Sequence, residues 1–201
     1  MTESKRPSRP GEVRDTRALL LVAARAEFAA NGYHGTDTNR IARAAGLAPA
    51  TFYRHFTDKA DVFRVVFHEW VTEDWERSQE VLSKGNGPAQ TAAEIVKRTL
   101  DFYRDARGLR ASLRALVYQE PAIRRAYVEE GKRQLGIARE RRAARGLPDL
   151  SVEEHFVVLC LAERVLDAVA LDEGKELGLD EDRLLAVVER ILAGYIEGKT
   201  L

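Results

Sequence analysis

The 201-residue sequence predicts an all-α protein. Apolar residues recur at three- and four-residue spacing along most of the chain, and caps and breakers punctuate those stretches. No segment alternates apolar and polar residues as a strand would. Between positions 36 and 59 the pattern contracts to TDTNRIARAAGLAPATFYRHFTDK, two short helices joined by a glycine turn.

The first twelve residues form an expected flexible arm, because Pro7 and Pro10 interrupt helix while Lys5, Arg6 and Arg9 make it basic. Such an arm is either an untethered terminus or a segment that touches phosphates or a minor groove. The first helix is expected over 15–31, with Leu20, Ala24 and Phe28 on one stripe and Asn31-Gly32 as its stop. Thr36 is the expected cap of the next helix, whose stripe is Ile41, Ala42 and Ala45. Gly46 stands where the chain reverses, a position that favours φ > 0. In the following helix, 49–56, Phe52 and Phe56 share the inward face, and Thr51, Tyr53, Arg54 and His55 point elsewhere. Small helices packed through alanines, with hydroxyl, phenol, guanidinium and imidazole groups outside, suit a helix-turn-helix reader of DNA.

Asp58 is placed to cap a longer helix reaching about 83, through Val62, Val65, Val66, Trp70, Val71 and Trp75. After the break at 84–88, helices are expected over 91–105 and 109–119. Pro121 opens a long helix to about 145, weakened in its middle by Gly131 and Gly136. Ser151 with Glu154 has the spacing of a capping box, and the helix it opens runs to about 171. A last helix covers 180–198.

Composition narrows the function. Net charge is zero, yet residues 1–64 carry eleven Lys/Arg against seven Asp/Glu, and 65–201 carry twenty-one against twenty-five. The positive charge therefore lies at the helix-turn-helix end, as a DNA-binding head on an acidic body requires. The single cysteine, Cys160, rules out an internal disulfide and a cysteine-based zinc site, and its apolar neighbours mark it as packed. None of the four histidines forms an H-E-x-x-H pair or follows a glutamate by three, and no G-x-S-x-G, P-loop or dinucleotide glycine pattern occurs. No enzyme, metal or cofactor is expected. No apolar run exceeds that of 156–162, far short of the roughly 20 residues that span a bilayer. No secretory signal stands in the first fifteen residues, so a cytoplasmic protein without a membrane partner is expected.

The stretch from about 16 to 67 resembles the DNA-binding domain of TetR-family transcriptional regulators. The resemblance rests on AEFAANGY at 26–33, Thr36, the pair Ile41-Ala42, AAGLAPATFYRHF at 44–56, and Lys59 at the family's spacing. It implies a helix-turn-helix domain over 13–57 and a larger helical body over 58–201 for effector binding and dimerisation. Asn39, Pro49, Ala50, Tyr53 and His55 then fall near bases or the sugar edge. Thr38, Thr51, Tyr53 and Lys59 fall near phosphate, and Thr36 joins the contact set. Many relatives carry arginine at the position of Asn39; asparagine pairs with adenine rather than guanine. Ala48 replaces the usual capping residue, so the reading helix is less firmly capped.

The resemblance also implies a body pocket for a small, largely apolar effector. Candidate walls are Trp70, Phe102, Tyr103, Leu116, Tyr118, Ile123, Tyr127 and Phe156, all equally suited to a plain core. The arginines Arg107, Arg110 and Arg114 suit either an anionic ligand group or a solvated face, and RERRAAR at 139–145 reads as a solvated helix end. In the family the last two helices of each subunit pair into a four-helix interface. Val158, Ala162, Val165 and Val169 on one helix, and Leu184, Val188, Ile191 and Tyr195 on the other, fit that interface or an intrachain core. The implied function is a homodimeric regulator, most often a repressor, on a palindromic DNA operator. Two readings compete: a helical protein-interaction module without sequence-specific DNA binding, and a constitutive DNA binder without an effector.

Overall fold

A computed structural model describes the backbone of residues 10–199 and the side chains of 16–199. The order is α1 (Pro10–Asn31), α2 (Thr38–Ala44), α3 (Pro49–Phe52), α4 (Lys59–Ser83), α5 (Pro88–Asp105), α6 (Arg107–Gln119), α7 (Pro121–Ala144), α8 (Val152–Ala170), α9 (Glu173–Glu176) and α10 (Glu181–Glu197). No strand occurs among the described residues.

Helix α1 starts at Pro10, so positions 10–12 belong to a helix and not to the expected arm. Proline is tolerated in a first turn, where its missing N–H would have no partner. The rest of the expected arm, with Lys5, Arg6 and Arg9, lies outside the described residues. The cap of α2 is Asp37, not Thr36: its carboxylate accepts from the Arg40 amide at 2.8 Å. Thr36 turns inward instead, 5% exposed, and its hydroxyl donates to Glu27 at 2.9 Å. Helix α3 is a single turn that opens at Ala48 with no side-chain cap. Gly46 takes φ 71° between α2 and α3.

Asp58 caps α4 by accepting from the Asp61 amide at 2.8 Å. The capping box of α8 is complete: Ser151 Oγ accepts from the Glu154 amide at 3.2 Å, and Glu154 accepts from the Ser151 amide at 2.7 Å. Helix α7 runs unbroken through Gly131 and Gly136, where an added Cβ would meet open space. The turn α9 is an element that the sequence reading lacks; it follows Asp172, a non-glycine residue at φ 63°.

Aromatic residues of α1, α3 and α4 form the core at the amino-terminal end. Phe28 meets Phe63 of α4 edge-on at 5.0 Å, and Phe52 packs on Phe56 at 5.5 Å. In the body α10 lies along α5, α8 packs on both, and α7 contacts α4, α6 and α8. A second junction joins the two regions, because α6 also packs on α1. A Cβ on Gly108 would stand 2.5 Å from the Ala29 carbonyl oxygen, 2.6 Å from that of Phe28 and 2.9 Å from the Gly32 nitrogen. Beside it, Ser112 Oγ accepts from the Tyr33 amide at 2.7 Å and donates to the Gly108 carbonyl at 2.7 Å.

Two arginines are buried, Arg142 against the solvated helix end expected over 139–145 and Arg110 against the solvated face that was one of its two readings. Arg142 is 4% exposed and donates to the carbonyls of Pro148 at 2.6 Å, Tyr195 at 2.8 Å and Gly198 at 3.2 Å. It thereby adds donors at the carboxyl end of α10, where the Tyr195 carbonyl otherwise has only the Gly198 amide at 3.3 Å. Arg110 is 2% exposed and forms ion pairs with Asp167 at 2.5 Å and Glu163 at 3.0 Å. Because its backbone contact leaves no room to relax, Gly108→Ala is expected to cost about 1–3 kcal/mol. Urea denaturation measures this, and unchanged stability would mean that the junction is loose.

Candidate nucleic-acid interface and cavity

The corner made by α2 and α3 presents Asn39, Pro49, Ala50 and Tyr53 to solvent, with Thr38, Thr51 and His55 half-buried. Thr38 Oγ1 and the Tyr53 hydroxyl lie 2.9 Å apart, which ties the start of α2 to the turn after α3. The Tyr53 ring packs edge-on against Phe52 at 5.4 Å, so the phenol has a fixed base although the residue is 59% exposed. Partial burial and the neighbouring Arg54 and Arg17 lower the His55 pKa, so near neutral pH this side chain exchanges hydrogen bonds without a charge.

Glu27, which the sequence reading missed, organises the back of this corner. Its carboxylate accepts from Thr36 at 2.9 Å and Asn31 at 3.1 Å, and pairs with Arg40 at 2.7 Å. Its place one turn before Asn31 was the available signal. Thr36 therefore leaves the contact set, since burial keeps it from any external partner. Lys59 is also redirected. Its ammonium donates to the Tyr33 carbonyl at 2.8 Å and the Thr36 carbonyl at 3.0 Å, and lies 4.2 Å from the centre of the Tyr33 ring. Burial lowers its pKa, opposed by Asp37. Two of its three N–H donors thus serve the loop between α1 and α2, and one remains.

The body holds a cavity of about 770 Å³, open on one part, bordered by α4, α5, α6, α7, α8 and α10. Of the eight expected wall residues, Trp70, Tyr103, Tyr127 and Phe156 line it. The other four do not. Phe102 stacks on the far side of Trp70 at 4.7 Å, Leu116 and Ile123 are buried in the core, and Tyr118 is 82% exposed on α6. Asp74, Glu163 and Arg141 also line the cavity and were not foreseen. Asp74 stands one helical turn after Trp70, so the spacing alone placed it on the same face. Cys160 lines the cavity too, and burial raises its thiol pKa.

The expected interface residues on α8 and α10 divide differently from the prediction. Val158, Val169 and Val188 are buried within the chain, because these stripes face α5 and each other. Ala162, Val165, Leu184, Ile191 and Tyr195 are half-buried. The Tyr195 hydroxyl meets Nδ1 of the buried His155 at 2.6 Å, an internal bond. The apolar residues left exposed on these helices include Phe156, Val157 and Val187.

Residues 20–66 match the family described as bacterial regulatory proteins, tetR family. The HTH-type transcriptional regulator TcmR of Streptomyces glaucescens is 29% identical over 140 residues, which cover 65% of this chain and 62% of that protein. The chain thus spans less than two thirds of that relative's length. A TetR-family transcriptional regulator from Syntrophomonas wolfei shares the fold with a TM-score of 0.69 at 15% identity, over 92% of this chain and 96% of that one. The transcriptional regulator FadR from Bacillus subtilis, in complex with stearoyl-CoA, gives a TM-score of 0.57 at 19% identity, over 90% of this chain and 98% of that one. The helix-turn-helix end is the part of the chain that matches bacterial regulatory proteins, and the all-helical body shares its fold with those solved structures. The match to the tetR family thus covers residues 20–66, and the solved structures extend the likeness of fold to the body.

Lys59→Met removes two charge-assisted bonds and leaves two carbonyls short of a donor. The expected cost is about 1–3 kcal/mol, visible as a lower Tm by calorimetry. An unchanged Tm would return Lys59 to the solvent-facing contact set.

Proposed function

We propose that this chain is a homodimeric, ligand-responsive transcriptional regulator, a repressor, that grips a palindromic DNA operator and releases it when a small, largely apolar effector fills the body. The observation that carries the reading is the α2–α3 corner, where exposed Asn39, Ala50 and Tyr53 stand on a buried aromatic base. Thr51 and Tyr53 offer neutral donors to phosphate, Ala50 or Pro49 suits a thymine methyl, and Asn39 suits adenine. One such corner reads only a few base pairs. A two-fold pair, with readers about 34–36 Å apart, doubles the site. Phe156, Val157 and Val187 supply exposed apolar area for that pairing on α8 and α10. No helix among the described residues is long and apolar enough to cross a membrane.

The cavity supports the effector half of the reading, as does the acyl-CoA complex of the Bacillus subtilis structural relative. Arg110 lines the cavity and stands on α6, whose Gly108 and Ser112 touch α1. Helix α4 joins the same two regions through Phe63 and Trp70. A ligand that favours one arrangement of α4 and α6 shifts the readers by its difference in affinity for the two arrangements. Such couplings are typically about 1–3 kcal/mol and act equally in both directions.

A gel shift with genomic fragments is expected to give a sequence-selective, salt-sensitive complex. Its absence would favour a protein-interaction module. Tyr53→Ala and Thr51→Ala are each expected to weaken the complex roughly tenfold, the order of one hydrogen bond to a charged phosphate, with fold and assembly unchanged. Parental affinity in both would overturn the site assignment. Asn39→Arg is expected to change base preference at one position per half-site, read by selection from a randomised duplex; an unaltered preference would remove Asn39 from the readers.

A further inference from the structure

Charge is spread unevenly around the cavity. Its wall carries Arg110, Lys132, Arg141, Arg142 and Arg145 against Asp74, Glu130 and Glu163. Each acid already faces a cation. Glu163 pairs with Arg110 at 3.0 Å, Glu130 pairs with Arg133 at 2.5 Å, and Asp74 lies under the pull of Arg110 and Arg77. The aromatic faces beside Asp74 are taken as well. The Arg110 guanidinium lies 4.1 Å from the centre of the Tyr103 ring and 5.3 Å from that of Trp70. That end of the cavity supplies its own counter-charges.

The other cations are not all matched. Arg142 is spent on three carbonyls, and Lys132 pairs with Glu129 at 2.8 Å. Arg141 and Arg145 remain. Arg141 Nη1 is buried without a hydrogen-bond partner, and Arg145 forms no ion pair among the described residues. The two stand four apart at the carboxyl end of α7 and share the face that lines the cavity. Burial lowers the Arg141 pKa, opposed by its exposed neighbour Glu140. A buried donor on a charged group is costly until an acceptor arrives. Trp70 Nε1 is also unpartnered, but its ring is 1% exposed between Phe102 and Tyr103, beyond the reach of a head group.

The cavity has the length to seat the rest of such a ligand. Helices α4 and α7 run side by side in the same direction: Phe67 stacks on Tyr127 at 6.3 Å, and Arg133 Nη2 donates to Thr72 Oγ1 at 3.4 Å. Further along the same two helices, Ser78, Gln79 and Leu82 line the cavity together with Ala138, Arg141 and Arg145. Exposed Ser83 and Arg145 put this end at the solvent. From Tyr127 to Arg141 the helical wall runs about 21 Å, at 1.5 Å per residue. Trp75, Leu135, Leu159 and Ala162 make much of that stretch apolar.

We propose that the cavity takes an elongated apolar ligand with an anionic head, the head seated on Arg141 and Arg145 and the chain running along α7 toward Trp70 and Tyr127. This rests on the effector reading above and adds the head group and its seat. A carboxylate and a phosphate monoester share the required chemistry, because each presents oxygens to a guanidinium fork. A neutral head gives Arg141 no counter-charge, and a protonated amine meets two like charges.

The test uses decanoate, decyl phosphate, decanol and decylamine, which share one apolar body. Each is titrated calorimetrically into the full chain at pH 7.5, below its micellar concentration. At least one anion is expected to bind roughly tenfold tighter than decanol, the order of one charge-assisted bond, with decylamine weakest. The tighter anion identifies the head as carboxylate or phosphate. Arg141→Gln, with its fold checked by thermal melting, is expected to bring the anions down to the affinity of decanol, while decanol binds as it does to the parent. Should that variant fail to fold, Arg145→Gln, at an exposed side chain without an ion pair, is expected to cut the preference roughly threefold. Decanol or decylamine binding the parent as tightly as both anions would overturn the proposal and leave the effector reading standing. Binding of none of the four would overturn both. An undiminished anion preference in Arg141→Gln, or in Arg145→Gln where the first variant does not fold, would overturn this seat for the head.

Discussion

Backbone packed on backbone at Gly108 is the constraint on which the rest depends. The first turn of α6 lies so close to the carbonyls of Phe28 and Ala29 that no side chain fits between them. Ser112 completes the contact by bonding the Tyr33 amide, just past the end of α1. Contacts of this kind have no soft side chain to absorb a displacement. Movement of α6 must therefore move α1, and with it the Phe28 core on which α2 and α3 rest. Two residues after Gly108, Arg110 reaches the cavity and holds α8 through Asp167 and Glu163. One short helix thus touches both the reader and the ligand site.

Charge is used differently at the two ends. At the reader, Glu27 and Lys59 spend their charges inward, on Thr36, Arg40 and two carbonyls, and this leaves the exposed surface to neutral donors and apolar contacts. Positive charge on that surface comes from arginines such as Arg43 and Arg54, exposed on α2 and after α3. In the body, ionic groups sit inside. Arg142 closes the end of α10 through three carbonyls, and Arg110 joins α6 to α8. Removing one partner of such a pair leaves an uncompensated charge, which is why these arginines hold geometry and do not greet solvent.

Much of the helical framework was legible because its signals are local. Asp58 and the Ser151–Glu154 box act within one turn, so spacing alone located them. The reader was legible for a similar reason, as its glycine turn and Phe52–Phe56 pair lie within eleven residues. Errors arose where a second element decides. Thr36 and Asp37 are both good caps by type, and only the carboxylate of Glu27, from another helix, draws Thr36 inward. Tyr118 and Phe102 resemble Tyr103 and Tyr127 as residue types, yet which face of α5 or α6 meets the cavity depends on tertiary packing. The stripes of α8 and α10 were ambiguous between core and interface, since apolar periodicity records burial without naming the partner.

Amide hydrogen exchange, compared with and without an operator duplex, tests the central claim most directly. If the junction at Gly108 carries coupling between reader and cavity, added protection extends from residues 37–56 through the Tyr33 amide into residues 107–112. Protection confined to the α2–α3 corner, with the Tyr33 amide and α6 unaffected, would contradict the account.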